Sequence, residues 1–582
     1  MSARELITEH LDLWTGAVTK KSSSGRGSNG KVELTGVKKL RELILDLALK
    51  GRLSERFIDD QPAEKLIEQF FLHKEKLVKD GELRRQKKLP EITYQEHEYK
   101  IPETWQVERL ARLSHQITKG TTPTSIGLSF AEKGVNFVKV ESLHDGGINH
   151  ANVQFISQDT HQALQRSQLE AGDILFSIAG TIGKTAIVQD IDTPANTNQA
   201  LAIIKGTSQV FTERFLKLQL DSFVSAKAKN KARGGAMSNI SLGDLSNLVV
   251  IVPPIEEQHR IVQKVDELMA LCDRLEQQTS DQLEAHETLV DTLLGTLTQS
   301  ANATELAENW ARLAEYFDTL FTTEQSIDKL KQTILQLAVM GRLVEQDDGD
   351  EPAEQLIERI ATHKAETGNG KRRASKPPKS GTAESQPFQI PSTWAWMPLR
   401  QTGITSTGKT PSTKNASFFS GDIPFIGPGQ VTAAGKINTP EKYLSEEGIL
   451  QSEEALSGDI LTVCIGGSIG KTAIVTERCG FNQQLNKIRP VLVEPSYLLA
   501  AINADFFQHS IREKATGSAT PIINRSKWES IAIPLAPLDE QRRIVQKVDE
   551  LMALCDHLKQ RLTQASNTRC QLAGAVVEGA LN

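Results

Sequence analysis

Residues 256–275, EEQHRIVQKVDELMALCDRL, return almost unchanged at residues 539–558 as DEQRRIVQKVDELMALCDHL. In both copies the apolar residues alternate at spacings of four and three, which places them on one helical face and is typical of a coiled coil. Each copy follows a proline-bearing segment, which predicts that a strand ends just before a helix of about 40 residues, roughly 60 Å long. We expect the two helices to pair antiparallel, one from each half of the chain.

The predicted seam of each helix contains one cysteine, which we interpret as a packing residue and not as a ligand or nucleophile. The pattern weakens at Thr279 and Gln282 in the first copy and is interrupted at Arg569 in the second. The seam consists of Ile261, Val265, Leu268, Cys272, Leu275, Leu289 and Leu293 in the first copy, and of Ile544, Val548, Leu551, Cys555, Leu558, Leu562, Ala565, Leu572 and Val576 in the second.

Four other segments also occur twice, each separated from its copy by nearly half of the chain. They are KLRELILDLALKGRL (39–53) and KLKQTILQLAVMGRL (329–343), QPAEKLIE (61–68) and EPAEQLIE (351–358), IPETW (101–105) and IPSTW (390–394), and GDILFSIAGTIGKTAIV (172–188) and GDILTVCIGGSIGKTAIV (458–475). One unit therefore consists of a helical block, a globular block and a long helix, and the chain contains it twice.

The helical blocks agree closely, whereas the globular blocks agree only at scattered landmarks. This contrast predicts a two-fold pseudo-symmetric helical scaffold that carries two different globular domains; drift after an old duplication would also have altered the exposed helix positions. The division is 1–100, helices with basic linkers; 101–253, first globular domain; 254–387, central helices and a linker; 388–536, second globular domain; and 537–582, C-terminal helix.

The shorter repeated helices are predicted at 38–50 and 328–340. Glycine is the usual residue just beyond a helix end, and proline is common in the first turn. The expected caps are Gly51 and Gly341 at the ends of these helices, and Asp60 and Asp350 ahead of the helices that begin at Pro62 and Pro352.

The composition is that of an ordinary soluble globular protein, with 582 residues, 38% hydrophobic and 24% charged. Five cysteines without a CxxC pair argue against a disulfide framework and a zinc site, and they indicate a reducing cytoplasm. We find neither a signal peptide nor a membrane span. The formal net charge is -6, but the globular segments 101–252 and 388–534 are slightly basic, so the acidic excess lies in the helices.

The globular blocks contain short β-branched runs separated by Gly, Pro and Asn turns, which predicts mixed α/β domains with curved sheets. GTIGKT (180–185) and GGSIGKT (466–472) resemble a nucleotide-binding loop, but the first glycine of that motif is replaced by Ile178 or Ile465. A tight turn, or a turn that presents Lys184 or Lys471 to a DNA phosphate, explains the two segments better.

Several polar residues occur at matching landmarks of the two globular blocks. Arg, Lys, Asn and Gln side chains pair with base edges, and glycine-flanked loops let the backbone approach phosphates. The candidate DNA-binding residues are Thr121, Thr122, Lys139, Lys184, Asn198, Gln199, Arg233 and Ser238 in the first block, and Lys409, Thr410, Lys471, Gln484, Lys487, Ser518 and Thr520 in the second.

The two GDIL…G-x-I-G-K-x-A-I-V segments, and the two x-E-Q-x-x-I-V helix starts after a hydrophobic strand, resemble the specificity subunit of type I restriction-modification systems. The resemblance covers nearly the whole chain. It implies an α+β protein in which each globular block is a target recognition domain for one part of a split DNA sequence. Long helices forming an antiparallel coiled coil would separate the two domains.

The resemblance also implies that the chain is not catalytic. Its partners would be double-stranded DNA, two methyltransferase subunits and restriction or translocase subunits, and S-adenosylmethionine, ATP and Mg²⁺ would belong to those partners. A self-contained methyltransferase would need a motif such as N-P-P-Y, which Val252-Pro253-Pro254-Ile255 lacks. A coiled-coil scaffold that does not bind DNA is the other alternative.

Overall fold

The computed structural model describes residues 9–20, 32–93, 96, 101–232, 240–301, 303–366, 386–432, 435–518 and 520–581. The chain divides into unit 1, Met1–Asp281 with Ser566–Asn582, and unit 2, Gln282–Ala565. Each long helix therefore begins in one unit and ends in the other.

The helices, in chain order, are α1 (Leu11–Gly16), α2 (Thr35–Leu49), α3 (Ala63–Lys79), α4 (Gln158–Ala163), α5 (Glu213–Ala232), α6 (Leu242–Ser246), α7 (Ile255–Gln299), α8 (Ala303–Glu315), α9 (Phe317–Leu320), α10 (Glu324–Val339), α11 (Ala353–Glu366), α12 (Glu446–Ile449), α13 (Pro495–Asn503), α14 (Asp505–Lys514), α15 (Arg525–Glu529) and α16 (Leu538–Leu581).

The strands of unit 1 are β1 (Thr19–Lys20), β2 (Val32–Glu33), β3 (Gln106–Arg109), β4 (Gln116–Lys119), β5 (Val135–Val138), β6 (Leu143–His144), β7 (Gly147–Ile148), β8 (Gln154–Ile156), β9 (Gln168–Leu169), β10 (Ile174–Ser177), β11 (Thr185–Ile187), β12 (Ala195–Thr197), β13 (Leu201–Lys205) and β14 (Val249–Val252). Those of unit 2 are β15 (Ala395–Pro398), β16 (Gly403–Thr407), β17 (Ile423–Ile426), β18 (Lys442–Leu444), β19 (Glu453–Ala455), β20 (Ile460–Val463), β21 (Thr472–Ile474), β22 (Cys479–Phe481), β23 (Leu485–Pro490) and β24 (Ala532–Leu535).

Both globular blocks fold with the same topology. The first sheet of each unit is antiparallel, in the order β11-β10-β13-β4 in unit 1 and β21-β20-β23-β16 in unit 2. The second sheet has the order β8-β5-β12-β9 or β18-β17-β22-β19, and its two central strands are parallel. The strand pairs β3-β14 and β15-β24 lead directly into the long helices. The mixed α/β prediction is confirmed for both domains.

The core of each unit lies on both faces of its first sheet, because successive side chains of a strand point to opposite faces. In β10, Ile174 and Phe176 pack with the helices, and Leu175 packs toward the second sheet. In β20, Ile460 packs with the helices and Leu461 packs toward the second sheet. All of these strand residues are buried, which explains why the GDIL segments have apolar residues at consecutive positions and no alternation with polar ones there.

In unit 1 the short helix α2 packs between two long-helix segments. The Arg41 guanidinium lies 2.6 Å from Asp273 of α7. The Lys39 ammonium donates to the Cys570 carbonyl of α16 (2.9 Å), and further along α2 the Lys50 ammonium donates to Leu581 (3.1 Å). Thus α2 runs parallel to the end of α16.

The start of α7 runs antiparallel to α2, because the hydroxyl of Ser54, just beyond the end of α2, donates a hydrogen bond to Glu257 near the start of α7. The same arrangement recurs in unit 2, where the Lys329 ammonium lies 2.8 Å from Glu287 and Lys331 pairs with Asp556. The antiparallel course of the long helices is therefore confirmed, and each unit adds a third, shorter helix to the bundle.

The predicted seam is buried over the first half of each long helix. Cys272 and Cys555 are both buried, and burial raises the pKa of the Cys272 thiol to about 11, which fits a packing residue. The buried set is Ile261, Val265, Leu268 and Cys272 in α7, with Ile544, Val548 and Cys555 in α16.

In the second half of the predicted seam, Leu289 and Leu572 are wrong by one residue, whereas the predicted Leu293 and Val576 are partly buried against the cores. Leu289 and Leu572 are half exposed, whereas Val290 and Ala573 are buried. The shift follows Thr279 of α7, which is buried with its hydroxyl donating to the Leu275 carbonyl (2.7 Å). At this point an extra spacing of four residues interrupts the alternation of four and three, and the buried face therefore rotates around the helix axis. The shift coincides with the passage of each helix from one unit to the other.

The predicted glycine caps are confirmed. Gly51 and Gly341 have φ of +67° and +68°, a left-handed conformation that glycine adopts without strain. The predicted aspartate caps are wrong, because Pro62 occupies the cap position of α3. The Asp60 carboxylate instead binds the Arg260 guanidinium, which lowers the pKa of Asp60. The copies, Asp350 and Arg543, pair at 2.6 Å.

Candidate nucleic-acid interface

In unit 1 the loops at one end of the first sheet come together from distant parts of the sequence. Ile178 N–H donates to the Ala200 carbonyl (2.9 Å), which joins the β10-β11 turn to the start of β13. Thr121 N–H donates to the Thr197 carbonyl (2.9 Å), and β5 runs parallel to β12, so the residues after both strands share this end. We call segments 120–131, 139–142, 178–184 and 198–200 the loop edge of unit 1.

The loop edge of unit 2 is built in the same way. Lys409 N–H donates to the Phe481 carbonyl (3.0 Å), and Asn482 N–H donates to the Ile426 carbonyl (3.0 Å). Gly466 N–H donates to Pro521 (2.9 Å), which adds the loop after α14. The loop edge of unit 2 consists of the described residues of segments 408–420, 427–432, 464–471, 482–484 and 516–522.

Most of the residues that the sequence predicts for DNA binding lie on these two edges. The structure brings together Thr121, Thr122, Lys139, Lys184, Asn198 and Gln199 in unit 1, and Lys409, Thr410, Lys471, Gln484, Ser518 and Thr520 in unit 2. Arg233 and Ser238 lie outside the described residues. The clustering is consistent with a shared surface, and the role of each residue stays a prediction.

One predicted residue does not lie on a loop edge. Lys487 is in the middle of β23 and is buried, and its ammonium is 3.2 Å from Glu453 and 5.7 Å from the centre of the Phe481 ring. A phosphate would have to displace these contacts between the two sheets. We therefore withdraw Lys487 from the candidate DNA-binding set.

The two glycine-rich segments are turns of β-hairpins, since β10 pairs antiparallel with β11 and β20 with β21. They do not lead from a strand into a helix, which a phosphate-binding loop requires. Their lysines differ in placement. Lys184 is half-buried and donates to the Leu143 carbonyl (3.1 Å), so we no longer expect it to contact a phosphate, whereas Lys471 is exposed.

The two edges share a pair of hydrogen-bonded side chains. The hydroxyl of Thr122 donates to Oε1 of Gln199, and the hydroxyl of Thr410 donates to Oε1 of Gln483 (2.6 Å). In each unit the preceding asparagine accepts a backbone N–H two residues later, at 3.1 Å for Asn198 and 3.0 Å for Asn482.

These hydrogen bonds show which asparagine and glutamine residues of the two units are equivalent. Asn198 matches Asn482, and Gln199 matches Gln483, so Gln484 occupies the place of Ala200. The sequence prediction therefore missed Asn482 and Gln483. The shared N-Q dipeptide, counted back from the leucine that begins β13 or β23, was the available signal.

A close approach of two chain segments explains why a glycine lies two residues before Thr122 and two residues before Thr410. A Cβ on Gly120 would lie 2.1 Å from the Thr197 carbonyl oxygen, and one on Gly408 would lie 2.0 Å from that of Asn482. No real side chain tolerates such contacts, so only glycine lets the two loops meet.

The loop edges contain lysines but almost no carboxylates. The five segments of unit 2 contain no Asp or Glu, although the chain has 73 of them, and the edge of unit 1 contains only Glu141. Exposed lysines of the unit 2 edge include Lys409, Lys414 and Lys471. Carboxylates are instead found at the opposite end of the first sheets.

The carboxylates at that opposite end form ion pairs. Asp173 lies 2.7 Å from Lys205, and Asp459 lies 2.7 Å from Arg489. Burial raises the pKa of Asp173, and the carboxylate of Asp459 raises the pKa of Arg489. The loop edges thus have few carboxylates that could repel a polyanion.

Within the described residues, no group of three or more His, Cys, Asp or Glu side chains is arranged to hold a metal ion. None of the described helices combines the length and apolar content that a bilayer-spanning segment requires.

A family model described as type I restriction modification DNA specificity domain matches residues 102–285 and 391–566. The EcoAI specificity subunit of Escherichia coli, a type I restriction enzyme subunit, is 33% identical, and the EcoEI subunit is 32% identical; both alignments cover 100% of each chain. The solved HsdS subunit of Thermoanaerobacter tengcongensis is 19% identical over 83% of this chain and 98% of its own, with a TM-score of 0.41. The family model and the two Escherichia coli relatives show that the chain belongs to the specificity subunits of type I restriction-modification systems, and it has two target recognition domains.

Proposed function

We propose that this subunit reads a bipartite, asymmetric DNA target, with one recognition domain on each part. The observation that carries the proposal is the scarcity of carboxylates on the two loop edges, where lysine ammonium groups and side-chain amides converge from separate loops. Ammonium groups bind phosphates, and amides bind phosphates or base edges. The target is asymmetric because the two edges, although they share the glycine-rich turns and the threonine–glutamine pair, differ at most of their other positions.

We further propose that the helices hold the other subunits of the complex. The repeated helical blocks supply two similar surfaces, which suits two copies of a methyltransferase subunit, with restriction or translocase subunits joining that core. Transfer of the methyl group from S-adenosylmethionine and hydrolysis of ATP with Mg²⁺ would then take place on those partners. In this proposal the chain selects the site of reaction and catalyses no step.

Exchange of one recognition domain tests the proposal directly. We expect replacement of residues 101–252 by the corresponding block of another specificity subunit to change one part of the methylated sequence and leave the other part unchanged. Single-molecule methylome sequencing of cells that express the chain with its partner subunits gives both parts in one experiment. A change in both parts would contradict the separate assignment of the domains.

A binding measurement separates this function from that of a scaffold that does not contact DNA. The full chain should bind random-sequence duplexes with an affinity that falls steeply between 50 and 200 mM salt, as expected when phosphates are neutralised by lysines. An affinity that is negligible at both salt concentrations would favour the scaffold.

A further inference from the structure

The threonine–glutamine pair is a side-chain contact common to both loop edges, which also share the glycine-rich turns but differ in most of their other loop residues. Thr122 with Gln199, and Thr410 with Gln483, occupy equivalent places at the loop edges, and each bond joins the loop after β4 or β16 to the turn before β13 or β23. If the domains read different parts of an asymmetric target, a pair common to both contacts something that both parts share.

The hydrogen bonds that each glutamine amide already forms indicate which kind of DNA group it can contact. Bidentate reading of adenine by glutamine uses Oε1 and Nε2 together. In both units Oε1 already accepts the threonine hydroxyl, which holds the amide against the neighbouring loop and leaves Oε1 one acceptor position, while Nε2 forms no hydrogen bond to another residue that the structure describes. Gln199 and Gln483 are exposed, so each edge offers an amide donor to solvent.

We propose that Gln199 and Gln483 are phosphate anchors, each donating its Nε2–H to a DNA backbone phosphate at the equivalent place in its part of the target. The proposal rests on the proposed function. Glutamine is among the side chains that bind phosphate, and such contacts set the register of a protein on the duplex without reading its sequence. The bases are then read by edge residues that differ, such as Gln484, whose counterpart is Ala200.

A substitution that preserves the threonine bond gives the sharpest test. Gln199→Glu and Gln483→Glu keep an oxygen that accepts the threonine hydroxyl, so the loops stay joined. They replace the donor with a carboxylate that repels phosphate. We expect each to weaken binding of the full chain to random duplexes by about 10-fold or more, and Gln199→Ala or Gln483→Ala by about 3- to 10-fold.

Matched controls place the same added charge elsewhere. Gln263→Glu and Gln546→Glu alter equivalent exposed positions of α7 and α16, away from the loop edges, and we expect their affinities to stay within about 2-fold of the unmodified chain. Thermal unfolding of each variant shows whether it is folded. Affinities of Gln199→Glu and Gln483→Glu that match those of the controls would overturn the proposal.

Methylome sequencing distinguishes a phosphate contact from a base contact. With Gln199→Ala or Gln483→Ala we expect the same methylated sequence at a lower extent of modification. A sequence that becomes degenerate or altered at a base pair would show that the glutamine reads a base and would overturn the phosphate assignment. If the unmodified chain itself fails to bind DNA, the proposed function fails instead, so the two failures are distinguishable.

Discussion

The lysines of the two glycine-rich turns occupy the same place in sequence but different environments. We therefore expect their substitution to affect different properties, DNA binding in one case and stability in the other. The Lys471 ammonium is exposed on an edge without carboxylates, whereas the Lys184 ammonium is bound to the Leu143 carbonyl. We therefore expect Lys471→Ala to remove a phosphate contact and Lys184→Ala to remove an internal hydrogen bond.

The size of the first effect follows from counterion release. Each neutralised phosphate contributes about −0.9 to the slope of log K against log salt. Lys471→Ala should therefore make the slope less negative by about 0.9, which amounts to a roughly 3.5-fold smaller loss of affinity between 50 and 200 mM salt. The assay is fluorescence anisotropy of the full chain on a labelled random duplex at four or more salt concentrations.

Lys184→Ala serves as the matched control. It should leave the slope unchanged and lower the free energy of unfolding of its domain by about 1–2 kcal/mol, since the Leu143 carbonyl loses a charged donor. Denaturant titration measures that loss. Equal slope changes for the two variants, or an unchanged slope for Lys471→Ala, would refute the assignment of these lysines from their environments.

Three further predictions concern packing and titration. Val290→Asp should lower the free energy of unfolding by at least about 3 kcal/mol, and Leu289→Asp by less than about 0.5 kcal/mol, because only Val290 is buried. Denaturant titrations measure both values, and the reverse order would support the register predicted from sequence. Gly408→Ala should abolish methylation that depends on unit 2, since the new Cβ would meet a backbone carbonyl at 2.0 Å, and wild-type methylation would contradict this. Burial raises the pKa of Glu540 above its unfolded value, so the free energy of unfolding should fall as pH rises through the raised pKa, and Glu540→Gln should flatten that dependence in thermal melts.

The helical part of the molecule was largely predictable because its signals are local. The spacing of Ile261, Val265 and Leu268 defines a buried face without reference to anything distant, and Gly51 marks its helix end through its own backbone conformation. The prediction of the buried face failed where the helix packs against different neighbouring elements. Beyond Thr279 the helix packs in another unit, so its buried face moves and Leu289 is left half exposed.

Asp60 shows a second way in which local reasoning fails. Its position before a helix that begins with proline is typical of a cap, but the carboxylate binds Arg260, which is far along the sequence. A tertiary ion pair competed with the local hydrogen bond, and sequence spacing carries no information about that competition.

The sequence by itself determined the duplicated architecture, the course of the helices and the family, because repeats and apolar periodicity are properties of short segments. Only the tertiary structure decided which polar residues share a surface. Lys487 and Lys471 are equally lysines in sequence, yet one is buried between two sheets and the other is exposed at a turn. The loop edges arise from the pairing of strands far apart in the chain, so their composition and the Thr410–Gln483 contact become visible only when those strands meet.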